Sequence, residues 1–467
     1  MRPWLIVGLG WALIAGTGAA SFGLQNPVAV RRITWDDVAP LRARLESRAV
    51  TAASFAAFID RTHANNIRRV REGDLDHLVF YLLQSTHFTP LPAIEPALSA
   101  KALVQSLDPA ERDGFLRGAA GREPSVPAPV RARMTAFVAA LNSSSRDPRL
   151  AYFRALVQAT FPDRRQREAA LLREYLRAMR FIYQKEFVAQ PAGAAAVAEL
   201  YRARGLSTDT AVEAGYVVYN GLGIIRALEP DRRIRRVLIV GPGLDLAPRT
   251  GLTEAGPPES YQPWAVIDAL LSLGLGRAGE LQVVAADINP RVVDHLTRSR
   301  DNPPVLTLVS EIRESDTVTL SADYREYFAQ LGKAIADEDD PPRGGIATLE
   351  QGRLRKTVHV GKPAAGTLAA VTLDVVTERL DAPAFDLVIA TNILPYFDDV
   401  ELMLAMSNVA GMLVPGGVFL HNEARPSLGE ITDALGLPFE QSRHVIIATV
   451  RGAPAPLFDS VFLHRKK

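Results

Sequence analysis

The stretch RHVIIATVRGAPAPLFDSVFLHRK, from Arg443 to Lys466, holds two apolar, β-branched runs, RHVIIATV and PLFDSVFLHRK, joined by the short link RGAPA. A parallel crossover needs about a dozen residues or more, so this link forces the two runs to lie antiparallel, as a hairpin. Upstream the rhythm differs. From Arg236 onward the runs RVLIVG, LQVVAAD, AAVTLDVV, FDLVIATN and GGVFLHNE alternate with helical stretches, the pattern of a doubly wound parallel sheet. The two observations together give an α/β domain whose parallel sheet ends in an antiparallel hairpin.

The first of those runs leads into a glycine turn, RRVLIVGPGLDLAPRTG, from Arg235 to Gly251. Gly241 and Gly243 lack a Cβ, so the chain can turn sharply and a ligand can approach the backbone. A dinucleotide fingerprint wants a small residue three positions after Gly243, where this chain has Leu246, which argues against an NAD-linked oxidoreductase. The next run ends at Asp287, followed by Ile288. A carboxylate there can accept both ribose hydroxyls of an adenosine. Its separation from Gly243 exceeds the usual ~20 residues, which implies an insertion at LAPRTGLTEAGPPESYQP, a loop placed to cover a ligand.

The strongest likeness comes later in the chain. FDLVIATNILPYFDD ends a strand at Asn392 and continues through Leu394, Tyr396 and Phe397; LVPGGVFLHNE follows, with the turn Pro415, Gly416, Gly417. With the terminal hairpin, this resembles the class I S-adenosylmethionine-dependent methyltransferases: a Rossmann-like sheet of parallel strands ending in an antiparallel hairpin. Together with SADYREYFAQLG, it is similar more narrowly to the chemotaxis-receptor glutamate methyltransferase family, which also carries a helical domain in front. The likeness covers Arg235 to Lys467. The glycine loop departs from that family's Gly-Glu-Glu-Pro type, with only SYQPWAVIDAL similar to its end, so receptor methylation does not carry over.

What the resemblance implies is a methyltransferase of unknown acceptor with S-adenosylmethionine as cofactor. Gly241 and Gly243 would lie near its amino-acid end, Asp287 and Ile288 at its ribose, Asp374 of VTLDVV against its adenine amino group, and Asn392 beside it. Asn392 and Tyr396 would face the reaction, Tyr396 as an orienting hydroxyl or ring, whereas Tyr261 reads better as a packed residue. The alternative is a non-catalytic binding protein that keeps the fold and has lost the methyl donor.

The remaining sequence bounds these readings. A chain of 467 residues, 48% hydrophobic and 22% charged, supports two or more domains, and a formal charge of +1 gives no reason to expect nucleic acid. With no cysteine, disulfides, thiolate metal sites and a cysteine nucleophile are excluded. The eight histidines show no ligand spacing; His77 and His87 read as core or helix residues, and no metal is expected. WLIVGLGWALIAGTGAASFG, after Arg2, reads as a signal peptide or membrane anchor over residues 1–25. If it is uncleaved, Arg31, Arg32, Arg42 and Arg44 favour a cytoplasmic catalytic domain; export is the competing outcome. Residues 26–228 read as an all-helical domain and 229–467 as the methyltransferase-like one. In the former, TWDD at Thr34 forms a capping box, and Asp163 caps a helix whose Arg173, Arg177 and Arg180 form a solvated basic stripe. GREPSVPAPV and QPAGAAA read as breaks between helices. The oligomeric state is left open.

Overall fold

The structure, a computed structural model, describes residues 29–119, 124–246, 257–339, 342–381 and 384–467. The expected targeting segment and most of the inserted loop lie outside the described residues. Among the described residues, no helix is long and apolar enough to cross a membrane.

The strands, in chain order, are β1 Val30–Arg32, β2 Arg236–Val240, β3 Gln282–Asp287, β4 Val305–Val309, β5 Val318–Leu320, β6 Thr348–Glu350, β7 Arg353–His359, β8 Leu368–Thr372, β9 Glu378–Leu380, β10 Phe385–Ala390, β11 Leu413–His421, β12 Phe439–Val450 and β13 Leu457–Arg465. Eight of them form one sheet in the order β5-β12-β13-β11-β10-β2-β3-β8. Strands β8, β3, β2, β10 and β11 run parallel, and β13 is antiparallel to both its neighbours, β11 and β12. All five expected parallel strands and the terminal hairpin are therefore present. Three features go beyond the sequence reading. A second, three-stranded sheet β4-β7-β6 is inserted between β3 and β8, β5 extends the edge beside β12, and β1 pairs with β9.

The central strands are apolar on both faces because both faces are covered. Val237, Ile239, Val283, Ala285, Leu387 and Ile389 enter one core, shared with helices Val212–Leu228, Tyr261–Ser272 and Pro290–Asp301. Their alternates, Leu238, Val240, Val284, Ala286, Val388 and Ala390, enter the other, shared with helix Asp399–Met412 and with Ile33, Val38, Leu41, Phe55 and Ile59. Both ends of the stretch read as a helical domain are thus built into the sheet layers. The capping box at Thr34 is present, opening the 3-10 helix Trp35–Leu41. Its Asp37 also pairs with Arg31 at 2.6 Å and Arg379 at 3.1 Å. The Arg31 guanidinium holds the Asp37 carboxyl well below the usual carboxylate range.

One helix ties the helical layer to the sheet. Phe55–Gln84 has 30 residues and spans about 45 Å. Its first turns bury Phe55 and Ile59 on the sheet, and its last turns bury Leu75, Leu78, Leu82 and Leu83 among Phe137, Phe153 and Tyr175. Where it leaves the helical core, the buried Arg133 guanidinium donates to the carbonyls of Leu82 (2.8 Å), Leu91 (2.6 Å) and Ser85. A helix end inside a core needs such a partner for its free carbonyls.

Elsewhere the helical layer departs from expectation. Helix Arg167–Tyr183 starts after Gln166, because Asp163 accepts instead from the Arg165 N–H at 2.9 Å. Arg173 is exposed, whereas Arg177 turns inward to Asp76 at 2.9 Å. The break read in QPAGAAA shrinks to Gly193, between helices Gln190–Ala192 and Ala194–Ala203.

Replacing Arg133 by methionine keeps most of the volume and removes the donors, leaving several buried carbonyls unpaired. The expected cost is about 3 kcal/mol, read as a lower denaturant midpoint. A stability equal to that of the parent would contradict this account of the helix end.

Candidate functional site

Strand β2 delivers its backbone to Gly241 and Gly243, both at positive φ, +69° and +73°. The turn folds back on β3. The Gly241 N–H donates to the Ala286 carbonyl at 2.8 Å, and the Gly243 N–H donates to Asp287 Oδ2 at 3.3 Å. The other oxygen of Asp287 accepts from the Asn289 N–H at 2.8 Å. Although it ends its strand, Asp287 is only 6% exposed. Burial pushes its carboxyl up to about 7, and the nearby Asp74 adds to the effect. The cause is the cover laid over it.

That cover has two layers. The inner one is the segment from Arg204 to Thr210, whose Thr208 carbonyl accepts from the Leu244 N–H at 2.7 Å. A Cβ on Gly243 would lie 2.1 Å from that carbonyl oxygen. The glycine is therefore required by the chain's own backbone, where the sequence suggested a ligand. The outer layer is helix Phe55–Gln84. The Leu206 N–H donates to its Arg69 carbonyl at 2.9 Å, and a Cβ on Gly73 would lie 1.7 Å from the Leu206 carbonyl oxygen.

Polar groups of the outer helix lock both layers. Arg69 donates to the carbonyls of Arg204 (3.1 Å) and Tyr396 (2.8 Å). The Thr208 N–H donates to His77 Nε2 at 3.2 Å, so the neutral ring carries its proton on Nδ1, which faces Asp209 at 3.0 Å. Asp74, fully buried, accepts from Tyr152 Oη (3.0 Å), Asn289 Nδ2 (3.1 Å) and Arg291 Nη1 (3.0 Å). Asp76 holds Arg177 and Arg204 at 2.9 and 3.2 Å. None of these residues was singled out from the sequence for such a role. A signal was there: Asn66, Arg69, Gly73 and His77 recur at helical spacing, which puts a glycine and three polar groups on one face.

One cavity brings most of the expected residues together. Gly241, Gly243, Asp287, Ile288, Asp374 and Tyr396 line it, and Asn66, Val70 and Leu206–Thr208 close it. Asp374, however, is heavily engaged. Its Oδ2 accepts from Thr377 Oγ1 (2.8 Å), Asn66 Nδ2 (3.2 Å) and His63 Nδ1 (3.1 Å), and its Oδ1 from the Val376 N–H (3.0 Å). Asn392 is absent from the cavity wall. It is exposed, at φ 62°, and exchanges two hydrogen bonds with Asn422, at 2.9 and 2.8 Å. Tyr396 is a buried wall residue with its ring against Tyr201 at 5.5 Å, and burial pushes its phenol up from its ordinary value. Tyr261, the first residue of its helix, is buried in the core. Leu246 is fully buried in the core on the same side, with no exposure to a ligand. Among the described residues no cluster could hold a metal ion.

No family model matches the sequence, and no curated protein matches it. Solved structures do match. A TehB-like SAM-dependent methyltransferase from Corynebacterium glutamicum aligns with 54% of this chain and 89% of its own at 13% identity and a TM-score of 0.26. The N-methyltransferase NodS from Bradyrhizobium japonicum, in complex with S-adenosyl-L-homocysteine, aligns with 53% and 85% at 12% identity and 0.26. Magnesium protoporphyrin IX methyltransferase from Synechocystis, with bound SAM, aligns with 55% and 82% at 9% identity and 0.28. Scores this low add no weight of their own, and the fold rests on the strand order of the sheet.

Gly243→Val sets a branched side chain against the Thr208 carbonyl at a left-handed φ. It should lower stability by about 2–4 kcal/mol before any ligand is added. A variant that melts with the parent and differs only in ligand binding would restore the ligand as the reason for this glycine.

Proposed function

We propose that the chain is an S-adenosylmethionine-dependent methyltransferase. The observation that carries this reading is Asp287, a buried carboxylate at the end of β3, held under the Gly241–Gly243 turn in a sheet that ends in an antiparallel hairpin.

The cavity suits such a cofactor in three respects. Asp287 keeps lone pairs beyond its two backbone bonds for the hydroxyls of a ribose. Val240, Ala286, Leu373, Val375 and Ile393 give apolar walls for a base. Two wall residues, Asn66 and Thr208, each carry a buried polar atom, Oδ1 and Oγ1, without a hydrogen-bond partner, and such atoms call for a ligand or water.

When bound, S-adenosylmethionine supplies both an electrophilic methyl group and its leaving group. The chain's own work is to bind, orient and exclude water, effects that can supply about 7 to 11 kcal/mol. Asp287 binds from a dry site, where each hydrogen bond is stronger than in water. Tyr396 and the Arg204–Thr210 segment close the wall. Asn392, strained and exposed beside Asn422, marks the rim at the ends of β10 and β11 as the side from which an acceptor of unassigned chemistry approaches.

A second reading, a non-catalytic binding protein that has lost the methyl donor, draws on one observation: the Thr208 carbonyl fills the space beside Gly243.

Calorimetric titration with S-adenosylmethionine, S-adenosylhomocysteine and NAD separates these readings from an oxidoreductase. The first two should bind and NAD should not; preference for NAD would overturn the proposal. Asp287→Ala should cost more than about tenfold in affinity. Ribose hydroxyls donate to the ionised carboxylate, and Asp287 titrates near 7. Affinity for S-adenosylhomocysteine should therefore rise as pH increases from 5 to 8 and level off above, with this rise absent in Asp287→Asn. The same rise in Asp287→Asn would remove Asp287 from the contact.

A further inference from the structure

We propose that Asn66, on the helix that covers the sheet, reads the 6-amino group of the adenine; this rests on the cofactor reading above. The resemblance gave that task to Asp374, at the end of β8, but the geometry there points elsewhere.

Four side-chain and backbone donors already converge on the Asp374 carboxylate, three of them on Oδ2. An ionised carboxylate offers about four lone-pair sites, so little capacity is left for a ligand. Asn66 is placed differently. It is 2% exposed, lines the same cavity as Asp287, and directs its Nδ2 to Asp374 at 3.2 Å. The orientation of the amide follows from chemistry, because an amide oxygen facing a carboxylate would set acceptor against acceptor. The remaining amide atom, Oδ1, is buried and has no partner. Leaving such an acceptor unmet costs about 1–3 kcal/mol.

What would satisfy it is a donor on an otherwise apolar, flat group, since the neighbouring wall is Val70, Leu373 and Val375. The 6-amino group of adenine is such a donor; a 6-oxo group is not. Asp374 then acts as a positioning residue. By holding Nδ2 it keeps Oδ1 turned to the cavity, and His63 and Thr377 fix Asp374 in turn. The residue that selects the base comes from the helix in front of the sheet, which makes that helix part of the cofactor site.

The test compares S-adenosylhomocysteine with S-inosylhomocysteine, its 6-oxo analogue, by calorimetry on the full chain. The parent should prefer the amino compound by about tenfold or more, because a site built to accept a hydrogen bond rejects a ligand that lacks the donor. Asn66→Ala should lose about tenfold for the amino compound and little for the oxo compound, so that the preference shrinks to about twofold. His63→Ala, which loosens Asp374 without touching the cavity, should weaken the preference less than Asn66→Ala does. A parent that does not discriminate overturns the proposal without need of any variant. So does an Asn66→Ala chain that loses the same factor for both compounds, the result of a purely structural role. A parent that binds neither compound overturns the cofactor reading itself, and this inference with it.

Discussion

Backbone pressed against backbone, with no room for a Cβ on either side, is the constraint on which this molecule depends. The Arg204–Thr210 segment is wedged between helix Phe55–Gln84 and the glycine turn after β2. Gly73 and Gly205 permit the contact on one side and Gly243 on the other. Each contact is fixed by a backbone hydrogen bond, Leu206 to Arg69 and Leu244 to Thr208. Because three backbone layers stack directly over Asp287, the carboxylate is dry and its acidity weakened. Burying a charge at this position is costly unless something binds it, and a site that stores such a cost is a common mark of function.

The buried polar groups of the cover follow from the same constraint. Close approach leaves many backbone and side-chain groups out of reach of water, and each needs a partner. Asp74, Asp76, His77 and Arg69 supply them from one helix, joining Tyr152, Arg177, Arg204, Asn289 and Tyr396 across three parts of the chain. The helical layer is bound to the edge of the sheet that carries Asp287 through charge-assisted bonds as well as apolar packing. Removing one partner would strand the others.

How much of this was legible in the sequence varies with the physics involved. The parallel strands announce themselves because strands buried on both faces must be continuously apolar, and the hairpin because a short link permits nothing else. Gly241, Gly243, Asp287, Ile288, Asp374 and Tyr396 could be placed near one another because strand ends in a doubly wound sheet converge on one edge. The small inserted sheet was missed: β6 is three residues long, and β7 breaks the apolar alternation by burying Lys356 between Leu354 and Val358. The cover was missed for a different reason. Its contacts join residues far apart in the chain, as Arg69 and Tyr396 are, and local pattern says nothing about which helix will lie over which strand end. Asn392 stands apart from the others: its backbone is left-handed, its side chain pairs with Asn422, and it is not part of the wall that gathers them.

The central claim is that an adenosyl ligand occupies the space between Asp287 and the cover helix. A crystal structure of the chain grown with S-adenosylhomocysteine tests it most directly. The account predicts the ligand in the cavity lined by Gly241, Asp287 and Asn66, its ribose hydroxyls on the Asp287 carboxylate and its base under helix Phe55–Gln84. A ligand bound anywhere else, or a cavity that keeps only water at saturating ligand, would contradict it.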